Sequence, residues 1–140
     1  MKMWIGLFLF CSSLAADEEY QFRGVHFVAS YSQCDAKALG DPDTLEMVMR
    51  EAAIASGATI LNVASHRFPP DGLTCVILLS ESHASIHTYP EHGACFVDLF
   101  TCGNRCSYLK FDQVLQNYLK PNLVESRVLH RHEGIDDLSQ

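Results

Sequence analysis

The fold is decided by residues 73–100, which read LTCVILLSESHASIHTYPEHGACFVDLF. This stretch contains three short apolar or alternating runs, at residues 73–79, 85–89 and 93–100. Runs of this length and pattern predict β-strands, and the nearly unbroken apolar run at 73–79 predicts a strand in a covered part of a sheet. Strands that follow one another through short connections favour a mainly antiparallel sheet.

Further strands and two helices flank this stretch. The additional strands are predicted at residues 25–31, 58–64 and 123–129. The first helix begins at Asp41-Pro42-Asp43 and ends at Gly57, because acidic residues and proline suit a first turn and glycine a terminus. The second helix is predicted at residues 108–118 from its apolar spacing. Its apolar face comprises Tyr108, Phe111, Val114, Leu115 and Tyr118.

The amino-acid composition limits which kinds of protein this chain can be. The 140 residues are 48% apolar and 19% charged, which is typical of one globular domain. The net charge of -7 argues against a nucleic acid or an anionic membrane as partner. Because strands outnumber helices, we predict an α+β two-layer sandwich, a mainly antiparallel sheet with two helices packed on one face. The polar tail from His130 is expected to fray.

The N-terminus is typical of a secretory signal peptide. Lys2 precedes a short apolar run, and small residues stand at Ser13 and Ala15. We therefore predict a signal at residues 1–15, an exported protein and a domain over residues 16–140, with an upstream start codon on a cytoplasmic protein as the alternative. Removing residues 1–15 leaves five cysteines, an odd number that predicts at least one free thiol.

A zinc site is the first chemical possibility that the spacing allows. His83 and His87 are four residues apart, as are Cys102 and Cys106. On a strand, however, the two histidines lie about 13 Å apart along the backbone. The sequence therefore favours no metal. It also contains no G-x-G-x-x-G, P-loop or G-x-S-x-G motif.

The decisive motif lies inside the opening stretch. Residues 81–91 fit E-S-H-x-x-I-H-T-x-P-E, and residues 98–103 fit D-x-F-T-C-G. Together they closely resemble the self-processing region of the prokaryotic-type S-adenosylmethionine decarboxylases, which make their own pyruvoyl cofactor. The G-x-H at residues 24–26 and the H-R-F-x-P-x-G at residues 66–72 also resemble this family. The resemblance runs over residues 23–132.

The resemblance implies a self-cleavage at the Glu81–Ser82 bond. Ser82 attacks the Glu81 carbonyl to give an ester, and β-elimination with His87 as the base leaves a pyruvoyl group at residue 82. Two chains result, residues 16–81 and residues 82–140. The pyruvoyl ketone is expected to form a Schiff base with S-adenosylmethionine and to accept the electrons released as CO2 leaves.

The resemblance also implies the substrate contacts. Cys102 matches the family's proton donor, and Glu91 matches the carboxylate that holds the ribose hydroxyls. Phe68 and Tyr89 are expected beside the adenine, where aromatic faces also favour the sulfonium. A homodimer of processed protomers with shared active sites is expected, making decarboxylated S-adenosylmethionine for spermidine.

Departures from the family pattern leave alternatives open. Tyr89 replaces the usual tryptophan, Thr74 replaces a serine, and Ser30 stands in a stretch that is usually acidic and aromatic. One alternative is the same pyruvoyl chemistry on another amino acid, such as ornithine or arginine. The other is an exported binding or structural domain that is never processed.

Overall fold

The computed structural model describes residues 22–132. The predicted signal at residues 1–15 lies outside the described residues, as do residues 133–140. No helix of the described part is long and apolar enough to cross a membrane.

Six strands and three α-helices make up the described chain. The strands are β1 (Arg23–Ser32), β2 (Ile60–Phe68), β3 (Gly72–Leu79), β4 (Ser82–Tyr89), β5 (Ala94–Cys102) and β6 (Leu123–His132). The helices are α1 (Ala36–Leu39), α2 (Pro42–Ser56) and α3 (Tyr108–Leu119), and a 3-10 helix spans Pro90–His92. The strands form one sheet in the order β2-β3-β4-β5-β1-β6, and every neighbouring pair is antiparallel. The predicted α+β sandwich is confirmed.

Helix α2 begins and ends where the sequence predicts. The Asp41 carboxylate accepts a hydrogen bond from the Thr44 backbone N–H at 3.1 Å, which satisfies one of the free donors of the first turn. Gly57 ends the helix with a φ of +96°, a left-handed conformation that suits glycine. The helix buries Leu45, Val48, Met49, Ala52 and Ala53 against the core.

Helix α3 is fixed to the sheet by a buried tyrosine. Tyr31 is fully buried and its hydroxyl donates to the Asp112 carboxylate on α3. Burial, and then this hydrogen bond, raise the pKa of Tyr31. The Tyr108 ring of α3 stacks on Phe27 of β1 with centroids 5.5 Å apart. Both helices therefore pack on the same face of the sheet.

The two faces of the sheet differ sharply. On β5, Cys95, Val97 and Leu99 are buried beneath the helices. The alternate residues Phe96, Asp98 and Phe100 point to the other face. We call this second face the open face, because its apolar side chains remain exposed. They include Phe68, Val76, Leu78, Tyr89 and Phe96.

Several boundaries differ from prediction. Strand β2 begins at Ile60, because Ala58 and Thr59 form the connection from α2. Strand β4 begins at Ser82 because Ser82 to Ser85 pair with both neighbouring strands despite their polarity. The expected fraying from His130 is wrong up to His132, since this segment pairs with β1. The short helix α1 and the 3-10 helix were not predicted, because they lack a periodic apolar pattern.

Candidate active site

The Glu81–Ser82 bond lies at the turn between β3 and β4, and hydrogen bonds fix this turn. Thr59 donates its backbone N–H to Glu81 Oε2 at 2.9 Å. The Thr59 carbonyl accepts the Ser80 N–H, also at 2.9 Å. The carboxylate of Glu81 also faces the half-buried Cys106, whose pKa is raised by burial and then by this negative charge. The side chain that precedes the predicted cut is therefore anchored.

The carbonyl group of Glu81 has its own donor. The Cys102 backbone N–H donates to the Glu81 carbonyl oxygen at 2.9 Å. Ser82 has a φ of +155°, which residues with a Cβ rarely adopt. The bond that the sequence marks for cleavage thus has a polarised carbonyl and a strained following residue.

A cluster of imidazoles and a carboxylate lies next to this bond. His26 Nε2 and His83 Nε2 approach the same oxygen of Asp98, at 3.1 and 3.3 Å. Ser85 donates to the other oxygen of Asp98. The three ligand atoms of His26, His83 and Asp98 lie within 4.8 Å of one another, the spacing of a metal site. A hydrogen bond between His26 and Asp98, together with the ion-pair contact from His83, accounts for this arrangement without a cation.

The register of β1, β4 and β5 explains why the two imidazoles and the carboxylate lie together. Phe100 on β5 is paired with His83 on β4 and with His26 on β1, so both imidazoles border its ring on the open face. The sequence analysis gave His26 and Asp98 only as parts of the family motifs, and considered His83 only as part of such a motif and as a zinc ligand. The sequence feature that could have predicted this cluster is the alternation of the three residues with buried residues in three strands, which places their polar side chains on one face.

At the other end of the open face lies a cleft of about 640 Å³, within the usual range of small-molecule sites. It is lined by the predicted substrate residues Phe68, Tyr89 and Glu91 and by His87. The His87 Nδ1 lies 2.9 Å from the hydroxyl of Thr74, which orients the ring. The residues that the sequence analysis expected to contact the substrate therefore line one cavity.

We name these two ends by their residues, although His87 and Asp98 also line a second cleft together. The cleavage end comprises Glu81, Ser82, His83, Asp98 and Cys102. The cleft end comprises Phe68, Thr74, His87, Tyr89 and Glu91.

Strand β4 separates the two ends. Ser82 and His87 stand five residues apart on this strand, which corresponds to about 16 Å. One protomer therefore does not bring His87 to Ser82, although the family resemblance implies that both take part in one reaction. The zinc arrangement is not assembled either, because His83 contacts Asp98 whereas His87 contacts Thr74.

Comparison with known proteins agrees with the motifs. Residues 25–132 match the family model described as S-adenosylmethionine decarboxylase. An S-adenosylmethionine decarboxylase proenzyme of Thermotoga petrophila is 43% identical over 115 residues, covering 82% of this chain and 88% of the relative. A proenzyme of the same name from Fervidobacterium nodosum is 46% identical over 93 residues, covering 62% of this chain and 68% of the relative.

A solved structure extends the likeness to the fold. The crystal structure of the adenosylmethionine decarboxylase from Aquifex aeolicus superposes with a TM-score of 0.75 at 28% identity. The match covers 86% of this chain and 99% of the other. Since the family model spans residues 25–132 and the 43% identical Thermotoga petrophila relative is covered over 88% of its length, the chain belongs to the S-adenosylmethionine decarboxylase family.

Proposed function

We propose that the chain is a proenzyme that cuts itself at Glu81–Ser82 and then acts as a pyruvoyl-dependent carboxy-lyase on S-adenosylmethionine. Its product, decarboxylated S-adenosylmethionine, supplies aminopropyl groups for spermidine. The observation that carries the proposal is the hydrogen bond from the Cys102 N–H to the Glu81 carbonyl oxygen. A donor at 2.9 Å stabilises the negative charge that forms on this oxygen when Ser82 attacks.

Self-processing uses groups of the chain itself. The Ser82 hydroxyl attacks the Glu81 carbonyl carbon, and the amide becomes an ester. Loss of the Ser82 α-proton then expels the Glu81 carboxylate, and addition of water with release of ammonia leaves the pyruvoyl group at residue 82. Only a residue with a β-hydroxyl can be acylated and then eliminated, and Ser82 fulfils this requirement. The products are a chain ending at Glu81 and a chain beginning at residue 82.

The pyruvoyl group supplies an electron sink for the loss of CO2. Cys102 lies at the end of β5 beside the turn that carries residue 82, since its backbone contacts Glu81. Its thiol is partly exposed and free. This position suits the role of proton donor to the substrate α-carbon.

The cleft end is proposed to bind the nucleoside part of the substrate. Glu91 is well exposed at the cleft, and its carboxylate, 4.0 Å from His92 Nε2, is accessible to the two ribose hydroxyls as a hydrogen-bond acceptor. Phe68 and Tyr89 present exposed aromatic rings in the same cleft. Tyr89 packs edge-on against Phe96 with centroids 5.4 Å apart, which fixes its position on the open face.

A homodimer with shared active sites is supported by the distance between the two ends. Residue 82 and the cleft end are about 16 Å or more apart on one protomer. A second copy, packed on the open face in the opposite direction, brings its cleft end to the first copy's cleavage end. Exposed apolar side chains suit such an interface, among them Val76, Leu78 and Phe96.

The compartment is proposed from the chemistry. S-adenosylmethionine is a cytosolic metabolite, and the role proposed for Cys102 needs a reduced thiol. All five cysteines of the described residues are free thiols. We therefore propose the cytoplasm rather than export, and N-terminal mass analysis of the mature protein tests it. Loss of residues 1–15 would favour the exported protein.

One experiment tests the function as a whole. The intact mass of the purified protein is measured before and after borohydride, which reduces the pyruvoyl ketone, and CO2 release is measured with S-adenosylmethionine, ornithine and arginine. We expect two chains, a ketone at residue 82 and turnover of S-adenosylmethionine alone. Turnover of only ornithine or arginine would contradict the substrate, and an uncut chain would contradict the pyruvoyl mechanism.

A further inference from the structure

The Ser82 hydroxyl lies beside the imidazole of the next residue. Ser82 Oγ is 3.4 Å from Nδ1 of His83. This is a long hydrogen bond, as is common for catalytic groups before the reaction begins. His87, the base that the family resemblance implies, stands about 16 Å away on the same strand. Within one protomer, His83 is therefore the imidazole positioned to take the hydroxyl proton.

Asp98 orients the His83 ring for this task. It faces Nε2 of His83 at 3.3 Å and is itself held by His26 and Ser85. A carboxylate opposite Nε2 favours the tautomer with the proton on that nitrogen. Nδ1 then carries a lone pair directed at Ser82. The arrangement of hydroxyl, imidazole and carboxylate follows the logic of a Ser-His-Asp triad.

We propose that His83, oriented by Asp98, is the general base of the first processing step, the N-to-O acyl shift, and that His87 acts only in the later elimination. The inference rests on the proposed function and divides its two steps between two histidines. His83 is a catalytic residue because it touches the reacting hydroxyl, whereas Asp98 is a positioning residue.

The step balances within the chain. The Ser82 Oγ–H proton passes to His83 Nδ1 as Oγ bonds to the Glu81 carbonyl carbon. The resulting oxyanion is held by the Cys102 N–H. The carbon–nitrogen bond then breaks, the proton moves from His83 to the released amine, and the ester remains. No external reactant is consumed.

The test separates the two steps by their products. Wild type, His83→Ala and His87→Ala are made by cell-free translation and sampled over time, with neutral hydroxylamine added to half of each sample. Hydroxylamine cuts an ester at Glu81 but leaves an amide intact. The exposed His130 of β6 provides a matched control as His130→Ala, with processing at the wild-type rate expected.

The expected results differ between the two histidines. The His83→Ala chain is expected to process about 100- to 10,000-fold more slowly and to resist hydroxylamine, because the amide persists. The His87→Ala chain is expected to accumulate the ester and to be cut by hydroxylamine. Added imidazole is expected to accelerate His83→Ala, since that side chain is 42% exposed and its removal leaves a reachable space. Rescue by imidazole would not follow from a purely structural role.

Clear outcomes overturn the inference. Processing of His83→Ala within about threefold of wild type, or a hydroxylamine-sensitive ester in that variant, would show that another group takes the Ser82 proton. If His83→Ala lacks the circular dichroism of the wild-type fold, His83→Gln decides by the same criteria, since glutamine keeps a hydrogen-bond donor near Asp98. Loss of wild-type processing in the presence of a metal chelator would contradict the inference, because it would show that processing requires a metal ion, with His26, His83 and Asp98 as its candidate ligands. Failure of the proposed function is distinguishable, because then the wild type itself is uncut or inactive.

Discussion

The two ends of the open face are built in different ways. At the cleavage end, Glu81 is held through its carboxylate by Thr59 and through its carbonyl by Cys102. At the cleft end, Phe68, Tyr89 and Glu91 are exposed and only His87 has a short side-chain hydrogen bond, to Thr74. Processing needs a fixed bond inside one chain, whereas substrate binding needs open surface. Under the proposed function, one protomer is therefore organised for self-acylation but needs a second copy to complete a substrate site.

The largest expected effect comes from removing the nucleophile at the cleavage end. Ser82→Ala leaves no hydroxyl to accept the acyl group, so the chain is expected to remain whole and without CO2 release. Intact mass and a denaturing gel measure this. Ser80→Ala, two residues earlier on the same turn, is the matched control and is expected to process normally. Cleavage of Ser82→Ala at this bond would contradict the division of roles.

Mixed dimers test whether the two ends belong to different copies. Ser82→Ala and His87→Ala are each expected to be inactive alone. When they are co-expressed, a mixed dimer pairs an intact Ser82 with an intact partner His87 at one of its two sites. Cleaved His87→Ala chains and CO2 release are therefore expected. Their absence, in dimers shown to contain both chains, would contradict shared sites.

The proposed function gives Cys102 two roles, one at the cleavage end through its backbone N–H and one toward the substrate through its thiol. Cys102→Ala keeps the N–H and is expected to be cleaved, yet to decarboxylate about 100- to 10,000-fold more slowly, as for loss of a general acid. Cleavage is followed by gel and turnover by CO2 release. The half-buried Cys106→Ala serves as the control, with both activities retained. Equal loss of cleavage and turnover would show that the thiol acts in both steps.

At the cleft end, the expected effect is on substrate choice. Glu91→Gln loses a charged hydrogen bond to the ribose, worth roughly 1.5 to 3 kcal/mol in kcat/KM for S-adenosylmethionine. Self-cleavage is expected to be unchanged, because Glu91 does not belong to the cleavage end. Steady-state kinetics on the processed variant measure the loss. Unchanged kcat/KM would remove Glu91 from the substrate site.

The smallest expected effect is on stability and concerns the covered face, the side of the sheet on which α2 and α3 pack. Tyr31→Phe removes the donor to Asp112, and the free energy of unfolding is expected to fall by about 1 to 2 kcal/mol. Urea denaturation measures it. The exposed Tyr89→Phe is the control, expected within about 0.5 kcal/mol of wild type. A fall as large in the control would show that the buried hydrogen bond contributes nothing special.

Much of the architecture was determined by the sequence alone. The apolar spacing of α2 and its ends at Asp41 and Gly57 are local properties, so the helix forms where the pattern predicts it. Alternation in the strands likewise sets which residues are buried, as in Cys95 to Leu99. The motif at residues 81–91 indicated the family, and the three expected substrate residues, Phe68, Tyr89 and Glu91, share one cleft. These features depend on neighbours within a few positions along the chain.

Which groups lie side by side depends on how the strands pair in the folded protein. His26, His83 and Asp98 come together because β4, β5 and β1 are adjacent in the sheet. The Cys102 N–H, at the end of β5, reaches the Glu81 carbonyl beside the start of the neighbouring β4. The family resemblance implied that His87 is the base for Ser82, but an extended strand places the two residues about 16 Å apart. Strand order and register are set by long-range pairing and by packing of the covered face. The linear sequence records the residues but not the order in which the sheet places them side by side.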